Sequence, residues 1–137
     1  MEQNDIPIDY SIMAPSPFPL DALSLSSLLG NMLDNAIEAS LRGKAADNQF
    51  SPSIHFYIKP FQNMVLIHCE NAFSGNIQIT KNNKIISSKH SQEHGFGLKR
   101  ISDIVSNNNG IFHQSIKNNI FIIHIILPLK EDYDIEH

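Results

Sequence analysis

A chain of 137 residues, 42% hydrophobic and 18% charged, is long enough for one domain with its own core and has an ordinary globular composition. Its formal net charge of −4, with Lys and Arg scattered along the chain, supplies no basic field and argues against a nucleic-acid partner. Cys69 is the only cysteine, which excludes an intrachain disulfide framework and a cysteine metal cluster.

The start, Met1 to Asp5, lacks the charged and apolar parts of a signal peptide, and no apolar run reaches the roughly eighteen residues of a membrane span. The chain is expected to be cytoplasmic. It reads as a single domain over 1–137, with a core from about 8 to 129 and an acidic tail from 130 to 137.

Ile6 to Met13 alternates loosely, as an edge strand does, before Pro15, Pro17 and Pro19 impose an extended link. From Ala22 to about Leu41 the apolar spacing is helical, with Asp21 or Ser24 as the cap and Gly43 where the helix is expected to stop. Ser53 to Lys59 and Met64 to Asn71 read as two antiparallel strands joined through Lys59–Asn63. Ser74 to Glu93 turns polar and reads as a mobile loop with some local pairing. After Gly95-Phe96-Gly97 a helical pattern resumes with Leu98, Ile101, Ile104 and Val105, and ends at Asn107 to Gly110. Ile111 to Ile116 and Ile120 to Leu127 then flank Asn118-Asn119, a tight hairpin signal, before Pro128.

Three short motifs carry chemistry. Asn31, Asn35 and Glu38 stack along one side of the first helix with Asp34 beside them, while Leu28, Leu29, Met32, Leu33 and Ala36 form its apolar side. A row of amide oxygens bounded by carboxylates suits a hard, hydrated cation such as Mg²⁺. The alternative is the polar face of an amphipathic helix, although asparagine is a mediocre helix former.

The second motif, His94-Gly95-Phe96-Gly97-Leu98-Lys99, places bare backbone where a loop is expected to enter a helix, an arrangement that lets N–H groups approach an anion. The third, Glu70-Asn71-Ala72 with Gly75 beyond it, puts a carboxamide at a strand end, where it could pair with an adenine edge or simply terminate the strand. The strand histidines His55, His68, His113 and His124 read as ordinary sheet residues.

The order of these motifs, over Ile8 to Leu129, resembles the GHKL ATP-binding fold of sensor histidine kinases and gyrase-type ATPases. Gly30-Asn31-Met-Leu-Asp34-Asn35-Ala-Ile-Glu38 is similar to the N box of the peptide-sensing quorum-type receptor kinases of Gram-positive bacteria, and His94-Gly-Phe-Gly97-Leu-Lys to their G2 box. The resemblance implies an α+β, two-layer α/β sandwich with helices on one face of a mixed, mostly antiparallel sheet.

It also implies ATP and Mg²⁺ as cofactors, with Asn35 holding the metal, Asn31 acting at the phosphates and Asn71 at the adenine. The remainder of the implied ATP set is Glu38, Gly75, Gly95, Phe96, Gly97 and Leu98, with the polar loop as a lid over the nucleotide. The implied reaction is histidine autophosphorylation. Its partners would be the dimerisation and histidine-phosphotransfer domain of the same membrane-anchored, dimeric receptor, and a response regulator.

Two departures keep other readings open. Asn71-Ala-Phe-Ser-Gly75 has one glycine where the family pattern has more, and Glu93-His94 stands where a further glycine is common. A GHKL domain without catalysis that serves as an interaction module fits these changes. A GHKL serine kinase or ATPase is the other alternative, but Asn31 occupies the position where hydrolytic relatives carry a water-activating glutamate, and an amide lacks that basicity.

Overall fold

The computed structural model describes residues 6–74, 77–79, 85–87 and 91–129, with backbone alone for 77–79, 85–87 and 91–96. Strand β1 (Ile8–Ile12) is followed by helix α1 (Ala22–Ala46) and a hairpin of β2 (Ile54–Phe61) and β3 (Met64–Ala72). Short strands β4 (Ile77–Ile79) and β5 (Ile85–Ser87) precede helix α2 (Ser91–Asn107), and a second hairpin of β6 (Ile111–Lys117) and β7 (Ile120–Pro128) ends the described chain.

The main sheet has five strands in the order β1-β2-β3-β7-β6. β1 pairs with β2 in parallel, and every other pairing in that sheet is antiparallel. β4 and β5 pair antiparallel with one another, so the expected polar loop contains a small ladder of its own. The acidic tail from 130 onward lies outside the described residues.

Strict alternation decides which face of the sheet is covered. In β3 the residues Val65, Ile67, Cys69 and Asn71 are buried, and in β7 Phe121, Ile123, Ile125 and Leu127 are, while their neighbours are half-buried. Against this face lie Leu28, Met32 and Ala36 of α1 and Ile101 and Val105 of α2. Each large aliphatic side chain removed from water there contributes about 1.5–3 kcal/mol before entropy is counted. Both helices therefore sit on one face, which makes the molecule a two-layer α+β sandwich.

Local chemistry explains the element ends. Asp21 Oδ1 accepts from the Ser24 amide at 2.7 Å and caps α1. α1 does not stop at Gly43, as the sequence led us to expect, but continues to Ala46. Gly43 is buried beneath the ring of Phe50, where a β-carbon would fall 2.5 Å from a ring atom. Close packing, not helix termination, is what requires glycine at that position.

α2 ends in a Schellman motif. Asn109 has φ 63, Gly110 N–H donates to the Val105 carbonyl at 2.8 Å and Asn109 N–H donates to Ser106 at 3.2 Å. The β6–β7 turn uses Asn118 at φ 54 and Asn119 at φ 66, the left-handed pair that a two-residue hairpin needs. No helix among the described residues is long and apolar enough to cross a membrane.

Candidate functional site

On α1, Leu28, Met32 and Ala36 point into the sheet, and this fixes where the polar row points. Asn31 and Asn35 come out half-buried at the flank of the helix, and Asp34 and Glu38 are exposed. The half-buried asparagines are thus the inner members of the row and the acids its outer rim.

Asn31 is oriented by its own helix. Its Nδ2 donates to the Ser27 carbonyl at 2.8 Å and also approaches Ser27 Oγ at 3.4 Å. The amide oxygen is thereby turned toward α2, where a β-carbon built on Gly97 would stand 3.5 Å from Oδ1. Two motifs 66 positions apart in the numbering, Asn31 and Gly97, are brought face to face by the packing of α1 on α2.

Asn71 is the other inward polar group. Among the described residues, Ser40 and Asn71 are the buried polar side chains. Ser40 satisfies itself by donating to the Ala36 carbonyl one turn earlier at 3.0 Å. Asn71 is 3% exposed at the end of β3, with Ile54 and Phe121 as its cross-strand neighbours on the helix-covered face. Its Nδ2 donates to the Ala72 carbonyl at 3.1 Å. A carboxamide held against an apolar wall is costly to bury and well suited to reading the edge of a planar polar ligand.

The glycine motif differs from expectation. α2 begins at Ser91, so Gly95 is its fifth residue and Gly97 its seventh. A helix exposes the N–H groups of its first four residues, and both glycine amides therefore lie beyond them in this arrangement. Ser91, Gln92 and Glu93 account for the early start, a small polar residue followed by helix formers with an acid in the first turn. Leu98 packs half-buried against the core. Of Phe96 the helical backbone alone is described, and Gly75 lies outside the described residues.

Asn31 and Gly97 thus meet where α1 packs on α2, with Asn35 one turn farther along α1 and Leu98 next to Gly97 in α2, and Asn71 lies on the same, helix-covered side of the sheet. Ser27, which orients Asn31, was not singled out from sequence; its place one turn ahead of Asn31 is the signal that could have found it. Cys69 carries no nucleophile: burial first, then the Glu70 carboxylate, push its thiol up to about 12.

Comparison with known proteins gives a consistent family. A family model described as a GHKL domain matches residues 20–128. No curated protein matches the chain. Among solved structures, the catalytic domain of histidine kinase ThkA aligns with a TM-score of 0.61 at 19% identity, over 93% of this chain and 81% of that one. Acinetobacter baumannii histidine kinase AdeS aligns with a TM-score of 0.67 at 14% identity, over 94% of this chain and 57% of its own.

The histidine kinase domain of the blue-light activated kinase of Erythrobacter litoralis EL346 gives a TM-score of 0.62 at 14% identity, over 97% of this chain and 57% of that chain. At these identities the likeness is one of fold, and this chain spans little more than half of the last two. With the family model covering the stretch from the link before α1 to the end of β7, the chain belongs to the GHKL domain family.

Proposed function

We propose that this domain binds ATP with Mg²⁺ and delivers the γ-phosphoryl group to a histidine on a separate phosphotransfer domain, as the catalytic part of a sensor histidine kinase. The observation that carries the reading is the meeting of Asn31 Oδ1 with the open backbone of Gly97, with Asn71 buried on the same side of the sheet. Similarity to the catalytic domains of histidine kinases supports it at the level of fold.

The donor set fits a nucleotide and a hard cation. Asn35, half-buried on the row, would hold Mg²⁺ through its amide oxygen, and Mg²⁺ when bound would supply charge neutralisation at the phosphate oxygens. Asn31, whose Nδ2 is held by the Ser27 carbonyl, would present its Oδ1 acceptor beside Gly97 to a water of the metal's shell and so act at the phosphates through that water. Asn71 would pair with the adenine edge between Ile54 and Phe121. Gly95 would allow backbone approach to phosphate, and Phe96, Leu98, Glu38 and Gly75 would complete the surround.

Asn31 also favours transfer to histidine over hydrolysis. An amide cannot take a proton from water, whereas a neutral imidazole is already a nucleophile and needs positioning and charge neutralisation. The acceptor is expected on the dimerisation domain of the same membrane-anchored, quorum-type receptor, with a response regulator downstream and this domain on the cytoplasmic side.

Calorimetry with a non-hydrolysable ATP analogue and Mg²⁺ tests the site. Binding that weakens at least tenfold in Asn35→Ala, about 1.4 kcal/mol, is the expected result, and unchanged binding would sink the metal assignment. One observation favours a second reading, an interaction module without catalysis: α2 starts at Ser91, which places the Gly95 and Gly97 amides inside the helix. Absence of any thermal stabilisation by millimolar ATP would select it, because a binder gains stability by mass action.

A further inference from the structure

The sheet face turned away from the helices carries a row of rings. Tyr57 of β2, His68 of β3, His124 of β7 and His113 of β6 stand opposite one another in register across four strands. Tyr57 stacks on His68 with ring centroids 4.7 Å apart and planes 8° apart, and His68 meets His124 edge to face at 5.4 Å and 82°. His68 Nδ1 and His124 Nδ1 are 3.3 Å apart, and His68 Nε2 lies 2.9 Å from Glu70 Oε1. Among the described residues no three His, Cys, Asp or Glu side chains are placed to hold a metal ion. The chemistry available to the row is that of protons.

We propose that the His68–His124 pair is a one-proton latch between β3 and β7, closed while the pair holds no more than one added proton and opened by a second. A carboxylate only accepts, so Nε2 of His68 is the N–H that donates to Glu70. In the neutral pair Nδ1 of His68 is then bare, and Nδ1–H of His124 donates to it. With one proton added to the pair, one facing nitrogen carries an N–H and the other stays bare, so the bond persists in one direction or the other. A second added proton puts N–H groups on both facing nitrogens and two positive charges side by side, and the bond is lost.

The groups facing His124 are His68 and Glu70 from β3 and His113 from β6. Farther along the row, Lys59 Nζ lies 5.1 Å from the Tyr57 ring centroid, and His55 pairs with Asp9 at 3.4 Å. Burial first, then His68 and His113, hold the His124 imidazole below its ordinary 6.5. The unfolded chain takes a proton at this position before the folded chain does. The contribution of His124 to stability is therefore complete above pH 6.5 and is lost as the pH falls from 6.5 through the lower folded midpoint.

Histidine-ring NMR of the full chain between pH 8 and pH 5 tests the latch. At pH 8 His124 is expected as the less common Nδ1–H tautomer, a signature that packing alone would not produce. Its midpoint is expected below 6.5, and both His68→Gln and His113→Gln are expected to move it upward. His113 is exposed, so its variant folds even if His68→Gln does not. An Nε2–H tautomer for His124 at pH 8, or a midpoint unmoved in both variants, overturns the proposal.

Discussion

Asn31 Oδ1 faces the bare backbone of Gly97 at a distance where a β-carbon would make ordinary contact, 3.5 Å. Space at Gly97 is therefore not demanded by packing between the two helices. The fold would accept a methyl group there, and the absence of one leaves a gap beside the amide oxygen.

Gly97→Ala separates stability from binding on this ground. Glycine inside a helix is destabilising by roughly 0.5–1 kcal/mol relative to alanine, so the variant is expected to melt at the same temperature or slightly higher. If hydrated Mg²⁺ and the phosphates it holds approach the gap between Asn31 Oδ1 and Gly97, the methyl group blocks them, and affinity for an ATP analogue with Mg²⁺ falls about tenfold. Thermal unfolding and calorimetry on the same preparation read both effects.

Asn71→Ala tests the inward amide at the end of β3. Its removal leaves the Ala72 carbonyl without its 3.1 Å donor, at a cost of about 1 kcal/mol in urea unfolding. If Asn71 reads the adenine edge, the larger effect is on selectivity. Preference for ATP over GTP in competition binding is expected to collapse in the variant while the fold remains.

Much of the architecture is legible because the sequence repeats one physical rule. Alternation in Met64 to Asn71 and Ile120 to Leu127 marks strands, and Asn118-Asn119 fixes a register in which His113 and His124, each five positions from the turn, must pair. The sequence points to Lys59–Asn63 as the link between β2 and β3, but β2 runs on to Phe61 and the chain turns at Gln62-Asn63. The pairing of Tyr57 with His68 therefore comes from the fold. The contact between His68 and His124 is not legible, because β3 and β7 are far apart in the chain and only the sheet order joins them.

The helix ends misled for a local reason. Glycine reads as punctuation at Gly43 and Gly97, but both are interior to their helices, Gly43 because the ring of Phe50 packs on it and Gly97 because Ser91-Gln92-Glu93 starts α2 earlier. In the candidate site, the row of Asn31 and Asn35 and the inward Asn71 follow from helical and strand periodicity alone. The meeting of Asn31 with Gly97 required the tertiary fold.

Two glycines in one helix should respond with opposite sign. Gly30 is exposed with nothing within 4 Å of an added β-carbon, so Gly30→Ala is expected to stabilise by roughly 0.5–1 kcal/mol through helix propensity. At Gly43 the same β-carbon would fall 2.5–2.9 Å from three atoms of the Phe50 ring. Gly43→Ala is expected to destabilise by roughly 1–3 kcal/mol, because the ring must move out of its packed position. Urea midpoints of the two variants compared with the parent chain check both signs.

Cys69 offers a test of the core under β3. Its thiol is buried, and because burial and Glu70 push it from 9.0 up to about 12, it is expected to resist iodoacetamide at pH 8 in the folded chain and to react at once in urea. The raised value also sets a sign. Between pH 9 and pH 12 the unfolded chain releases this proton and the folded chain keeps it, so stability is complete below pH 9 and falls as the pH rises through the folded value. Cys69→Val, close in volume and without a titrating group, is expected to flatten that part of the alkaline decline in urea unfolding. An unchanged slope in the variant would place the alkaline loss elsewhere in the chain.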